Sequence, residues 1–372
     1  MRIDRIEVYT VVLPLTEPFY SACGKETAIH TVLVRLVSED KEGWGEGGTE
    51  YAPHWMPETA TSSFFLNSEI IAPILIGQSY NTAEELLESL NSIKGNPIAK
   101  AAVESGWWML KAAIEGKPLH ALLGGNYRNV EIGETLGIEE TYDKLLEKIE
   151  AAVEHGCPRV KLKVLPGWDL EMLQVVRSTF PRLKMIIDCN SIYSLDDLPL
   201  FIAIDKLNID MIEQPLFYAD LFDHAELQHK ISTPICLDES ITSVRDFKLA
   251  LRLGSCKVLN IKYNRVGGIS VAVQLHNLAQ EADIPCWIGS GMESGVGMGI
   301  HTELATLPNV TYPSDISESK RFLLEDLTEP AINMNSDWTI SPSSVPGTPY
   351  KPDIKKLERL TIKKVIIENH PN

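Results

Sequence analysis

From about Val130 onward the chain repeats one pattern: a short β-branched apolar run, then an amphipathic stretch of helical length. RVKLK precedes WDLEMLQVVRSTF, KMIID precedes LDDLPLFIAIDKL, and IDMIE precedes ADLFDHAELQHKI. TPICLD, KVLNIK and IPCWIG continue the series. Strands separated by helices of this length run parallel, because each crossover returns the chain to the same end of the sheet. Seven or eight such units in roughly 200 residues predict a (β/α)7β TIM-like barrel rather than an open doubly wound sheet.

The apolar runs end on charge. Lys163, Asp188, Glu213, Asp238 and Lys262 follow one another at intervals of 25, 25, 25 and 24 residues, one βα unit each time. Five consecutive strands would therefore each deliver a charged side chain to the carboxyl end of a barrel, where barrel enzymes build their sites. Singly, each acid also reads as a helix cap or a solvated loop residue. In register, coincidence is the poorer explanation. Three carboxylates gathered at one mouth repel each other and call for a cation. An all-oxygen set with neither His nor Cys spacing selects a hard ion, Mg2+, over zinc.

Lys161 and Lys163 lie two apart on one strand and share a face, which must be the interior because two lysines cannot be buried under helices. Their mutual repulsion and partial burial are expected to lower the ammonium pKa and leave a usable neutral amine, while Asp188 pulls the other way. Lys262 arrives about four strands from Lys163. Two lysines facing each other across a carboxylate-bound ion make an acid/base pair around one substrate carbon.

The first third differs. IDRIEVYTVVLPL, HTVLVRLVS and GWGEGG predict an antiparallel meander, followed by helices, one starting at Asn96-Pro97 and ending at Gly116. Residues 1–125 read as an α+β capping domain, 126–334 as the barrel, and 335–372 as a segment whose TIKKVIIE run returns to the capping domain. PFYSACGKE and EYAPHWMPE read as a lid over the mouth or as plain surface loops. The run GSGMESGVGMG follows the last clear strand; with no strand–G-x-G-x-x-G–helix pattern and no Walker lysine, it reads as barrel closure or substrate contact rather than a nucleotide site.

With 34 Lys+Arg against 51 Asp+Glu the chain carries a formal charge of −17, which argues against nucleic acid as a partner. No stretch approaches the roughly 20 apolar residues of a membrane span, and the amino terminus does not read as a signal peptide, so a cytoplasmic protein is expected. The six cysteines form no C-x-x-C pair and read as reduced core residues.

The pieces KLK (161–163), DCN (188–190), EQP (213–215), LDES (237–240) and NIK (260–262) followed by RVGG together resemble the muconate-lactonizing subgroup of the enolase superfamily. GWGE at 43–46 and PLHALLGG at 118–125 extend the resemblance over nearly the whole chain. Within that subgroup the text is most similar to the o-succinylbenzoate synthases and N-succinylamino acid racemases. The resemblance implies Lys163 and Lys262 as the catalytic pair, and Asp188, Glu213 and Asp238 as Mg2+ ligands, with an enediolate as the shared intermediate. It places Lys161 beside the substrate carboxylate. Further candidate substrate contacts are Thr135, Asn190, Glu239, Ser240, Gly291, Met292 and Glu293.

The reaction so implied is syn dehydration of a cyclohexadiene carboxylate in menaquinone biosynthesis. The alternative is racemisation of N-acylated amino acids, and behind it stand a muconate-type cycloisomerase, a dipeptide epimerase and a catalytically silent barrel. The expected partner is a small-molecule carboxylate, and the expected assembly a homo-oligomer. Two departures stand out: Tyr263-Asn264 replaces the usual Pro-Gly, and SGMESG (290–295) is shorter than the usual loop. Both are expected to flank the distal part of the substrate. Arg265 is expected to bias the lysine charge or to pair with a surface carboxylate.

Overall fold

The computed structural model describes residues 1–369. Three antiparallel strands open the chain: β1 (Arg5–Ser21), β2 (Gly24–Ser38) and β3 (Lys41–Thr49). The strand Thr361–Glu368 pairs antiparallel with β1 on its other side, so the end of the chain completes a four-stranded sheet. PFYSACGKE is no irregular loop. It forms the tip of the long β1–β2 hairpin, paired down to Ser21 and Gly24.

Against this sheet lies α1 (Pro97–Glu115), which begins at Asn96 and stops at Gly116 in the left-handed conformation. Its cap is not local. Asn96 sits at φ 52 and makes no side-chain cap bond; the Glu58 carboxylate accepts from Ile98 N at 2.8 Å and Ala99 N at 2.9 Å instead. Contact between β3 and α1 is backbone-close: a Cβ on Gly45 would stand 2.1 Å from the Ala102 carbonyl oxygen, so glycine is required there.

The second sheet is parallel. Its strands β4 (Glu134–Leu136), β5 (Val160–Lys163), β6 (Met185–Asp188), β7 (Met211–Glu213), β8 (Ile235–Leu237), β9 (Val258–Ile261) and β10 (Cys286–Ile288) are neighbours in sequence order. The helices Tyr142–Glu154, Leu170–Thr179, Leu198–Ile204, Phe222–Lys230, Val244–Leu253 and α2 (Ile269–Glu281) connect them. Segment 309–315 closes the sheet on itself through two parallel bridges, Cys286 to Val310 on one edge and Ile132 to Ser314 on the other. It supplies the eighth position of the ring without forming a regular strand, and Pro313 within it has no N–H to donate.

Period-two alternation then sorts the interior. Ile186, Met211, Cys236, Val258 and Trp287 pack together as an apolar plug. Two residues further along the same inward faces come Asp188, Glu213, Asp238 and Asn260, so the polar row lies one layer above the plug, toward the carboxyl ends of the strands. The register sets Lys163 opposite Asp188 and Asp188 opposite Glu213. The next strand sets Cys236 opposite Glu213, so Asp238 stands two residues further along β8 on the same inward face.

Candidate active site

A cavity of about 1080 Å³, open to solvent, lies over that row. Barrel residues Thr135, Lys161, Lys163, Asn190, Lys262, Gly291, Met292 and Asp315 form its floor and walls. The hairpin tip contributes Phe19, Ser21, Cys23 and Glu26, and the following loop contributes Glu50 and Trp55, so both capping segments roof the mouth. Cys23 is therefore not a core residue like Cys189, Cys236, Cys256 and Cys286. It faces the cavity as a half-buried thiol whose pKa burial pushes up to about 12.

The charged groups are paired and almost fully enclosed. Lys163 Nζ donates to Asp188 Oδ2 at 2.7 Å and to Asn190 Oδ1 at 2.8 Å. Lys161 Nζ lies 2.5 Å from Asp315 Oδ2, 3.0 Å from Glu213 Oε2 and 3.2 Å from Asp188 Oδ2. Lys262 Nζ donates to Asp238 Oδ2 at 2.7 Å and stands 4.7 Å from the centre of the Trp55 ring. Asn260 Nδ2 donates to the other oxygen of Glu213 at 2.5 Å. Arg265 is fully buried and pairs with Asp238 Oδ1, not with a surface carboxylate, while its Nε donates to the Ile241 carbonyl at 2.9 Å.

These pairings overturn one expectation. Burial alone opposes charge on Lys161, but Asp315, Glu213 and Asp188 outweigh it and hold the ammonium well above its ordinary pKa. For Lys262, burial is likewise outweighed, by Asp238 and Glu213. Carboxylates brought from elsewhere around the ring decide the outcome for Lys161 and Lys262, rather than repulsion between lysines. Burial favours the neutral acid throughout, yet Lys163 and Lys161 pull Asp188 well below the carboxylate range, and Lys262 and Arg265 lower Asp238. Glu213 goes the other way, to about 7, through burial and the Asp188 charge, and Glu239 is raised to about 8 by burial and by Asp238 and Asp188.

Such an acid cluster is suited to a hard cation. Asp188, Glu213 and Asp238 are buried, offer oxygen only, and raise or compete for one another's charge, and the nearby Glu239 Oε2 is buried without a hydrogen-bond partner. As the side chains stand, lysine ammonium groups lie on these oxygens. Among the described residues no three His, Cys, Asp or Glu groups close into a ready-made metal cage. The donor chemistry fits the ion, and the acids would have to exchange lysine for it.

Other predicted residues have different work. Asn190 lines the cavity, and its Nδ2 donates to Glu239 Oε1 at 3.1 Å, so Glu239 sits behind it. Ser240 is committed to structure: its hydroxyl accepts from Gln214 Nε2 at 2.6 Å and donates to the Asp220 carbonyl at 3.2 Å. Glu293 is buried behind Gly291. Tyr263 and Asn264 do not flank the cavity. Both are fully buried against the capping domain, where the Tyr263 hydroxyl donates to the Glu46 carbonyl at 2.8 Å.

Sequence reasoning missed Asp315 and Arg159. Asp315 holds Lys161, accepts from Thr135 Oγ1 at 3.0 Å, and lies 2.7 Å from Arg159 Nη2. The available signal was its distance of 27 residues from Ile288, about one more βα unit.

Fold and chemistry together define a barrel enzyme with a capping domain, and the chain belongs to the enolase superfamily. Residues 5–124 match the mandelate racemase/muconate lactonizing enzyme N-terminal domain, and residues 144–355 match the enolase C-terminal domain-like barrel. The N-succinylamino acid racemase of Thermus thermophilus is 40% identical over 97% of this chain and 98% of its own. The o-succinylbenzoate synthase of Geobacillus kaustophilus is 37% identical over 97% and 96%. A crystal structure of an enolase-superfamily member from Listeria innocua superposes with a TM-score of 0.94 at 33% identity, covering 99% of both chains. No helix among the described residues is long and apolar enough to cross a membrane.

Proposed function

We propose that this protein is an Mg2+-dependent o-succinylbenzoate synthase, which removes water from a cyclohexadiene carboxylate. The observation that carries the reading is the placement of Lys163 and Lys262 on β5 and just after β9, on opposite sides of the ring, both lining one cavity. Asp188, Glu213 and Asp238 would hold the ion. When bound, it supplies positive charge beside the substrate carboxylate and offsets the negative charge that grows as the neighbouring C–H ionises.

The chain's own groups do the rest. Lys163 Nζ, as the neutral amine, takes the proton next to the carboxylate and returns it to the departing hydroxyl on the same face, so that water leaves and the ring becomes aromatic. Lys262 Nζ remains an ammonium on the opposite face and stabilises the charge formed there. Lys161 lies at the floor, where a second cation beside the carboxylate is wanted. Trp55 and Phe19 limit the access of water from above.

The same two amines support a second reading, racemisation of N-succinyl amino acids, favoured by their opposed placement: one removes the α-proton and the other returns a proton on the far face. Ultraviolet detection of aromatic product and loss of the α-proton signal in deuterium oxide separate the two reactions. Lys163→Ala is expected to lower the dehydration rate by about 10²–10⁴-fold. Full activity of that variant on both substrates would end the acid/base assignment.

A further inference from the structure

Behind the wall made by Gly291 and Met292 lies a buried polar relay that the chemistry above does not use. Glu293 is 2% exposed, and its two carboxylate oxygens accept from Gly291 N at 2.9 and 3.0 Å. One of them also accepts from Asn264 Nδ2 at 2.6 Å and lies 3.4 Å from His301 Nε2. Asn264 is fully buried. Its Oδ1 accepts from Arg265 N at 2.9 Å, which orients the amide: the reverse assignment would set NH2 against N–H and oxygen against carboxylate. Gly48 of β3 closes over the pair, since a Cβ there would come within 2.5 Å of Asn264 Nδ2 and 2.9 Å of Glu293 Cγ. The pair thus joins the segment just after Lys262 to a cavity wall whose Met292 is held at φ 62, a costly conformation for a side-chain-bearing residue.

We infer that Asn264 and Glu293 are positioning residues that set the Gly291–Met292 wall and through it the fit of the substrate beyond its reacting carbon. This rests on the proposed carboxylate substrate entering the cavity. Without the Asn264 donor, a buried carboxylate is left short of hydrogen bonds, and the turn it pins must shift to recover them. Neither residue touches the reacting centre, so the effect falls on binding more than on turnover.

The test compares Asn264→Asp, Glu293→Gln and the double variant, by steady-state kinetics on N-succinyl amino acids and the cyclohexadiene carboxylate. Amide hydrogen exchange over residues 289–294 is read in parallel without substrate. Asn264→Asp sets two carboxylates together. It should raise KM by at least about tenfold with a smaller change in kcat, and should speed exchange at 289–294 but not in β6. The double variant should recover to within roughly threefold of wild type, because the amide introduced at position 293 would donate to the carboxylate introduced at position 264 while its oxygen accepts from Gly291 N. KM unchanged with exchange unchanged, or a double variant no better than Asn264→Asp, overturns the inference. If Asn264→Asp does not fold, Asn264→Ser is read the same way with the same expectations. Should the wild type turn over neither substrate while exchange still responds as described, the proposed function falls and the pinning of the wall stands.

Discussion

Glu46 on β3 offers a test in which burial and a helix terminus oppose each other. Its carboxylate is fully buried and meets the start of α3 (Gly295–Leu304), where Oε1 accepts from Ser294 N at 3.1 Å and Oε2 from Ser294 Oγ at 2.6 Å and Gly297 N at 2.9 Å. The positive end of a helix favours the anion. Burial prevails, aided by the Glu293 charge, and raises the carboxyl from 4.5 to about 7. A displacement of that size corresponds to about 3 kcal/mol between the two protonation states. Because the folded pKa lies above the unfolded one, the contribution to stability is full below about pH 4.5 and is lost as pH rises through about 7. Glu46→Gln has no proton to lose. Its stability relative to wild type should therefore improve by about 3 kcal/mol across that window, superimposed on a constant loss of about 1–3 kcal/mol for the Ser294 N–H, which loses its acceptor when the amide oxygen takes the place of Oε2. Guanidinium unfolding of both proteins at pH 5, 6, 7 and 8 measures the difference. Curves that stay parallel would mean that the helix start holds the anion after all, and the burial argument would fail.

Glu104→Ala removes the acceptor for Ile269 N (2.6 Å) and Ser270 N (2.9 Å), so α2 loses its cap, while Trp108 Nε1 keeps its second acceptor, Ser270 Oγ at 2.9 Å; a loss of about 3 kcal/mol is expected in denaturant unfolding, and a change below about 1 kcal/mol would refute the capping role. Asp315→Asn leaves Lys161 and Arg159 short of an anion and should cost about 3 kcal/mol. Since the partners hold Asp315 below the usual range, that loss should be full above about pH 4 and shrink as pH falls further, which melting curves at pH 3, 4 and 7 would check. Added Mg2+ should raise the melting temperature, by about 2.7 kcal/mol of stabilisation at a hundredfold excess over Kd, and a melting temperature indifferent to millimolar Mg2+ or chelator would count against the ion.

What could be read from the chain follows from what is local. In a parallel barrel neighbouring strands are one βα unit apart, so the intervals brought Lys163, Asp188 and Glu213 side by side in register and Asp238 and Lys262 to the same end of the ring, two or more residues further along their strands, and the superfamily fold was legible from them. Asp315 escaped because segment 309–315 closes the ring through isolated bridges and offers no apolar run to mark it as a strand. The caps escaped for another reason. Asn96-Pro97 and Gly116 mark the ends of α1 in the text, but Glu58 lies 40 residues from the N–H it caps, Glu104 lies 165 from Ile269, and Glu46 lies 248 from Ser294.

The lysine charge states failed in the same way. Lys161 is visible beside Lys163, whereas the anions that hold the Lys161 charge, Asp315, Glu213 and Asp188, arrive from other parts of the ring. The departure at Tyr263-Asn264 was visible too, but its meaning required Glu46 and Glu293 beside it. Glu46 and Glu104, both from the capping domain, cap the helices that follow β10 and β9, the strands leading to the Gly291–Met292 wall and to Lys262. Among the described residues no capping-domain carboxylate caps the helix that follows β5, whose first N–H is taken by Asp169 of the barrel itself at 2.6 Å. A disturbance of the domain seam should therefore impair proton transfer at Lys262 before it impairs transfer at Lys163. In a two-base racemisation that asymmetry appears as α-proton exchange that persists for one enantiomer and slows for the other. Equal slowing of both enantiomers in Glu104→Ala would show that the seam acts on the whole barrel instead.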